Sequence, residues 1–259
     1  LNSTGGARVL APRSKEESLQ AKKNEALPVP GPGLTFRVTD QVGSGEDCFK
    51  VFLTKEPLGL DAALLEAHGP EAETRLIEAI AADIPVHATK TGMLATAAIV
   101  EAVAAAIQEL DLPLVVVDPV MVSKSGARLL DDDGIGMLRT ELLPRALVVT
   151  PNIPEAEVLT GRRIQSIEDA RAAAHQIHTQ SGSSVLIKGG PAEGDQIVDL
   201  LFDGEMFTEL QTARIATRNT HGTGCTLASA IAANLALGHT LVDAVVRGQA
   251  YVAGAIERA

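Results

Sequence analysis

Arg218 to Gly238 reads RNTHGTGCTLASAIAANLALG, and its glycines, its thiol and the apolar run after them make the first candidate site. Leu227, Ile231 and Leu235 recur every four residues, the buried stripe of a helix. Gly222, Thr223, Gly224 and Cys225 therefore fall at that helix's N-terminus. Backbone N–H groups there have no partner within the helix, and the helix dipole adds partial positive charge. Glycines let an anion approach the backbone, which is the geometry for holding a phosphoryl group. A thiol in that field is expected to ionise more readily than usual. The same small residues would also suit a plain turn that packs a helix against a strand. The spacing is not that of the G-x-x-x-x-G-K-[ST] phosphate loop. His221 lies four residues before Cys225, which admits a Cys–His nucleophile pair. Such pairs usually come from distant segments, so a loop histidine is the stronger reading.

Four further groups stand at the ends of apolar runs. In VTPNIPEAEVLTG, Asn152 and Glu155 are spaced N-x-x-E between Pro151 and Pro154. Amide and carboxylate oxygens on a rigid turn suit Mg2+, usually through water. On spacing alone, a helix cap by Asn152 with Glu155 in the first turn is the stronger reading. VVVDPV places Asp118 at a strand end, as a functional carboxylate or a loop cap, and VLIKGG places Lys188 likewise. Lysine is rare in this half of the chain, and Lys90 and Lys188 both end apolar strands. A cation there can meet a phosphate or snorkel to the surface. KTGM offers Gly92 and Met93, suited to a flat ring and equally to a core. His175 and His178, three apart on a predicted helix, read as surface residues.

The elements that must position these residues alternate. EAETRLIEAIAADI, TAAIVEAVAAAIQEL, DDDGIGMLRTELL and SIEDARAAAHQIHTQSG carry helical patterns. The last opens with Ser166 and Asp169 at capping-box spacing and closes on Gly182. VHATKTG, LPLVVVDPV, ALVVT and SVLIKGG are short apolar strands. IVDLLFDGEMFTELQTAR reads as a hairpin turning at Asp203-Gly204. Two helices, CTLASAIAANLAL and TLVDAVVRGQAYVAGAIERA, close the chain. Strands alternating with helices predict an α/β fold, with a mostly parallel sheet covered on both faces and an antiparallel hairpin near one edge. Ligands of such sheets bind beyond the carboxyl ends of the strands, where the candidate residues lie.

Residues 1–65 differ. They hold five of the eight lysines, and LPVPGPGLTF and RSKEESLQAKKNEA read as loop-rich, with no strand assignable. Residues 66–259 form the regular core. At 259 residues with 46% apolar content the chain can bury a core, of aliphatic side chains because aromatics are 2%. A formal charge of −11 argues against nucleic-acid and anionic-membrane partners. Two cysteines, Cys48 and Cys225, make neither a disulfide framework nor a Cys-rich zinc site. No apolar run approaches the ~18 residues of a membrane helix, and the expected setting is cytoplasmic.

In order, KTGML, VVDPVMVSKSG, TPNIPEAEVLTG, VLIKGG and TRNTHGTGCTLASAIAANLALG resemble the motifs of the hydroxymethylpyrimidine and phosphomethylpyrimidine kinases of thiamine biosynthesis, within the ribokinase-like superfamily. The resemblance implies a three-layer α/β/α ribokinase-like fold and transfer of the γ-phosphoryl group of Mg-ATP to a hydroxymethylpyrimidine and its monophosphate. It implies that Gly222, Thr223, Gly224 and Cys225 form the anion hole, with Cys225 as proton acceptor where most of the superfamily has an aspartate. Lys188, Asn152, Thr220 and Asp118 would hold ATP phosphates, and Glu155 and Asp118 the Mg2+. Met93, Val120 and Gly92 would line the pyrimidine pocket, and a homodimer is expected. The family's opening strand, Gly-Ser-Asp segment and glutamine-bearing stretch are not found in residues 1–65. Three alternatives follow: a pyridoxal-type kinase of the same fold, a catalytically silent ribokinase-like binding protein, and, most remotely, a Cys–His hydrolase.

Overall fold

The computed structural model describes residues 69–122, 128–190, 196–215 and 222–258, together with the backbone of 26–28, 35–39 and 50–52. The chain divides into two compact units, Leu1–Gly69 and Pro70–Ala259. The first contains three short strands, β1 (Ala26–Pro28), β2 (Thr35–Thr39) and β3 (Lys50–Phe52), paired antiparallel in that order. The sequence pattern assigned no strand there. Segments of three to five residues are too short to show an alternation, and β2 is legible only in hindsight from the β-branched residues of TFRVT.

The second unit opens with helix α1 (Gly69–Asp83), β4 (Thr89–Thr91), α2 (Ala97–Glu109) and β5 (Val115–Val117). Helix α3 (Asp132–Met137) runs on through a wider turn at Leu138–Leu142 and a tighter one at Leu143–Arg145. Then come β6 (Val148–Val149), α4 (Ile153–Thr160), α5 (Ile167–Ser181), β7 (Ser184–Gly190), β8 (Gln196–Phe202) and β9 (Phe207–Ala213). Helices α6 (Thr223–Ala236) and α7 (Leu241–Ile256) finish it. Among the described residues the sheet order is β4-β5-β6-β7-β8-β9. The first four strands are parallel, and β8 and β9 add the predicted antiparallel hairpin at one edge.

Alternation along the strands makes the layers. Val115, Val117, Val149, Val185 and Ile187 face α2, α4 and α5 in one core. Val116, Val148, Leu186 and Leu201 face α6 and α7 in the other. Burying each such side chain contributes about 1.5–3 kcal/mol. The result is a three-layer α/β/α fold. Ser166 and Asp169 form the expected capping box, and Gly182 ends α5 at φ +75°, in the left-handed region that glycine enters without strain. Registers Thr91–Val117, Val117–Val149 and Val149–Val185 align the strands, so that their carboxyl ends share one rim.

Candidate active site

Asp118 follows β5 and Thr150 follows β6, so both stand on that rim. The Asp118 N–H donates to the Thr91 carbonyl at 3.0 Å, which ties the end of β5 to the end of β4. Its side chain is 2% exposed. The Thr150 hydroxyl donates to Asp118 Oδ1 at 3.4 Å, and Lys188 Nζ reaches the same oxygen at 2.7 Å. Burial pushes the Asp118 carboxyl up, but the charges of Lys188 and Lys90 outweigh it and hold the group below its ordinary value. Asp118 is therefore a carboxylate at neutral pH.

Lys188 arrives from β7, and its N–H donates to the Pro151 carbonyl at 2.8 Å. A parallel bridge pairs Lys188 with Asn152, which starts α4 beside it. Both readings of Asn152 and Glu155 meet here. Asn152 Oδ1 accepts from the Glu155 N–H at 2.9 Å, and Glu155 Oε2 accepts from the Asn152 N–H at 2.8 Å, a complete capping box. Yet Glu155 is 4% exposed and feels both Lys188 and Asp118. Burial is the largest effect and raises its carboxyl to about 7, against the pull of Lys188 and of the Asn152 N–H.

Helix α6 supplies the fourth side. Gly222 opens it at φ +79°, with no side-chain cap and no acidic residue in the first turn. A Cβ on Gly224 would lie 3.2 Å from Lys188 Nζ, so the lysine ammonium rests against the start of this helix. Cys225 is exposed in the same turn. Its thiol is not activated as the helix terminus alone predicts. Desolvation raises its pKa, and the Asp118 carboxylate adds to this by its charge and by accepting the thiol's hydrogen bond. Lys90 and Lys188 offset this in part.

Gly92 follows β4, with Lys90 Nζ folded against it (2.6 Å from where a Cβ would stand). Val120 is partly buried just past β5, and Met93 is 37% exposed. The structure thus gathers Asp118, Lys188, Asn152, Glu155, Gly222, Thr223, Gly224 and Cys225 at one rim, and sets Gly92, Met93 and Val120 on the neighbouring strand ends. Thr220 and His221 lie outside the described residues. His178 belongs elsewhere: its ring packs edge-on to Phe202 at 5.1 Å and its Nδ1 lies 2.9 Å from the Ser183 carbonyl, at the opposite end of β7. Sequence reasoning gave Thr150 no role, and Lys90 only the general reading of a strand-end cation that could meet a phosphate or snorkel to the surface.

Among the described residues no three His, Cys, Asp or Glu side chains form a metal cluster. Two carboxylates, one bound to Lys188 and one to backbone N–H groups, fit a Mg2+ held chiefly by phosphate oxygens and water. The arrangement is a positive helix end and a partly buried ammonium facing a carboxylate and a thiol, which can bind a phosphoryl group beside a proton acceptor.

The model of the phosphomethylpyrimidine kinase family matches residues 66–259. The chain belongs to the phosphomethylpyrimidine kinase family. A thiamine biosynthesis bifunctional protein of Geobacter sulfurreducens is 48% identical over 71% of the chain, which spans 37% of that protein. A hydroxymethylpyrimidine/phosphomethylpyrimidine kinase of Bacillus subtilis is 44% identical over 70% of the chain and 67% of its own length. Among solved structures, an ADP complex of Bacillus subtilis pyridoxal kinase superposes with TM-score 0.63 at 34% identity, covering 83% of the chain and 75% of that kinase. The ribokinase-like architecture of this family is therefore shared across two vitamin-kinase activities.

Proposed function

We propose that the chain is an ATP-dependent kinase that phosphorylates 4-amino-5-hydroxymethyl-2-methylpyrimidine and then its monophosphate, as a cytoplasmic homodimer. One observation carries this reading. The Lys188 ammonium lies at once against Asp118 and against the start of α6, which opens on Gly222. That places a cation and a set of helix-terminal N–H groups around one point, which suits a phosphoryl group in flight. The first turn of α6 binds the transferring group's oxygens, and Lys188 holds the charge that develops on them. Mg2+, near Asp118 and Glu155 and mainly on the nucleotide's phosphates, would neutralise charge on the triphosphate.

Cys225 takes the proton of the acceptor hydroxyl. Because its thiol is protonated at rest, it passes its own proton to the Asp118 carboxylate as it receives the new one. Met93, Val120 and Gly92 flank the acceptor ring. The family match and the relatives named for this activity support the pyrimidine acceptor. The pyridoxal kinase superposition keeps pyridoxal as a second acceptor. The test is to incubate the chain with Mg-ATP and either hydroxymethylpyrimidine or pyridoxal, following phosphorylated product and ADP by chromatography. Two ADP per pyrimidine, ending in the diphosphate, is expected. Product from pyridoxal alone would replace this reading with the second, and AMP-PCP binding without turnover on either would leave a silent binding protein.

A further inference from the structure

Asp199 is a buried carboxylate that the phosphoryl chemistry does not use. It sits on β8, on the same face as Leu201, whose side chain belongs to the apolar core under α6 and α7. It is 6% exposed. Its Oδ1 accepts the Gly189 N–H at 2.7 Å, and its Oδ2 accepts the Gln249 side-chain amide of α7 at 2.8 Å. Gln249 is itself buried, 9% exposed. A carboxylate is unfavourable in such a place unless a strong donor needs it.

That donor comes from an irregularity in the sheet. Ile187 pairs with Leu200 and Gly190 with Val198, so β7 carries one residue more than β8 over this stretch. The extra residue is a bulge, and it falls beside Lys188. Gly189 turns left-handed at φ +66°, and its N–H is satisfied by Asp199 rather than by a backbone carbonyl of β8. Gly190 returns to the ladder so closely that a Cβ there would be 2.8 Å from the Val198 carbonyl oxygen. Lys188 is therefore fixed on both sides, before the bulge by its bond to Pro151 and after it by Asp199.

We infer that Asp199 and Gln249 are positioning residues, a latch from α7 that holds the β7 bulge and so keeps the Lys188 ammonium on the phosphoryl site. This rests on the proposed role of Lys188. The latch predicts that acceptance of the Gly189 N–H matters, not the negative charge. In Asp199→Asn the amide oxygen still accepts from Gly189, and Gln249 can turn its own amide over to accept from the new Nδ2.

The test uses the full chain, with kcat and KM for each substrate and amide hydrogen exchange at Gly189. Asp199→Ala should lower kcat/KM for ATP by at least about tenfold, leave KM for the acceptor within about twofold, and speed Gly189 exchange. Asp199→Asn should stay within about threefold of wild type in both readouts. Equal losses in the two variants would overturn the latch, as would rapid Gly189 exchange in Asp199→Ala with kcat/KM for ATP unchanged. If Asp199→Ala does not fold, Gln249→Leu carries the same test. It should speed Gly189 exchange and lower kcat/KM for ATP together, and a loss of turnover with Gly189 still protected refutes the idea. If the wild-type chain phosphorylates no acceptor, AMP-PCP affinity replaces kcat/KM. Weakening of at least about fivefold in Asp199→Ala but not Asp199→Asn then supports the latch, and equal affinities reject it.

Discussion

Cys225 shows how desolvation and a neighbouring charge together can override a local field. A helix N-terminus favours the thiolate. Here the thiol is partly desolvated and faces the Asp118 carboxylate, so it stays protonated. Iodoacetamide should therefore label Cys225 slowly at pH 7.5, with a rate that rises with pH and has not levelled off at the ordinary thiol value of 9.0. Asp118→Asn should speed the labelling at neutral pH, and fast labelling of the wild type at neutral pH would contradict the assignment. Cys225→Ala should lower kcat by about 100-fold and leave AMP-PCP affinity nearly unchanged. Glu155 carries the reverse message. Its carboxyl is raised from 4.5 to about 7, so the folded state holds this proton more tightly than the unfolded one. Its contribution to stability is full below pH 4.5 and is lost as pH rises through 7. In the metal-free protein the loss can reach up to about 3 kcal/mol. Urea unfolding at pH 5 and pH 8 should show this fall in the wild type and a smaller one in Glu155→Gln, which keeps an acceptor for the Asn152 N–H. An unchanged difference in the variant would mean that Glu155 is ionised in both states.

At the scale of elements, the start of α6 and the end of β7 touch through Gly224 and Lys188. A methyl group at Gly224 would press on the ammonium at 3.2 Å, while alanine suits a helix better than glycine by up to about 1 kcal/mol. Gly224→Ala should therefore leave the unfolding midpoint equal or higher while lowering both kcat and AMP-PCP affinity by about tenfold. A variant with full activity would show that Lys188 gives way freely. The same two elements mark what the sequence could reveal. VLIKGG was legible as a strand ending in a lysine because its apolar run is continuous, and CTLASAIAANLAL as a helix because its stripe repeats every four residues. The bulge was not legible, because an extra residue appears only when β7 is set against β8. The Asp199–Gln249 pair was hidden for the same reason: VDLLF reads as a strand with one polar interruption, and nothing local points to a glutamine on the last helix. The direction of the Cys225 shift was misread because helix position is local, whereas the thiol's desolvation and its Asp118 contact arise only in the fold. In β1 to β3, short strands amid Pro and Gly gave no pattern to read.

At the scale of the whole molecule, a chain with net charge −11 binds an anion only where its few cations are concentrated. Of the eight lysines, Lys90 and Lys188 converge on Asp118 at one rim of the sheet in the Pro70–Ala259 unit. The family match covers 66–259, the same stretch that holds these strand ends. The proposed nucleotide site is thus built from residues of the second unit. AMP-PCP with Mg2+ should then slow amide exchange at residues 89–93, 118–121, 150–155, 188–190 and 222–226, and leave β1 to β3 unchanged. At a nucleotide concentration 100 times Kd, binding to the native state alone stabilises it by about 2.7 kcal/mol, which a thermal or urea titration would read as a concentration-dependent rise in midpoint. Raising ionic strength screens the repulsion between the acidic body and the nucleotide, and screens the partly buried Lys188–Asp118 pair less. Association of AMP-PCP should therefore quicken, or hold steady, between low and moderate salt. A steep fall in the association rate over that range would show that attraction by exposed cations, and not the partly buried Lys188 at the start of α6, brings the nucleotide in.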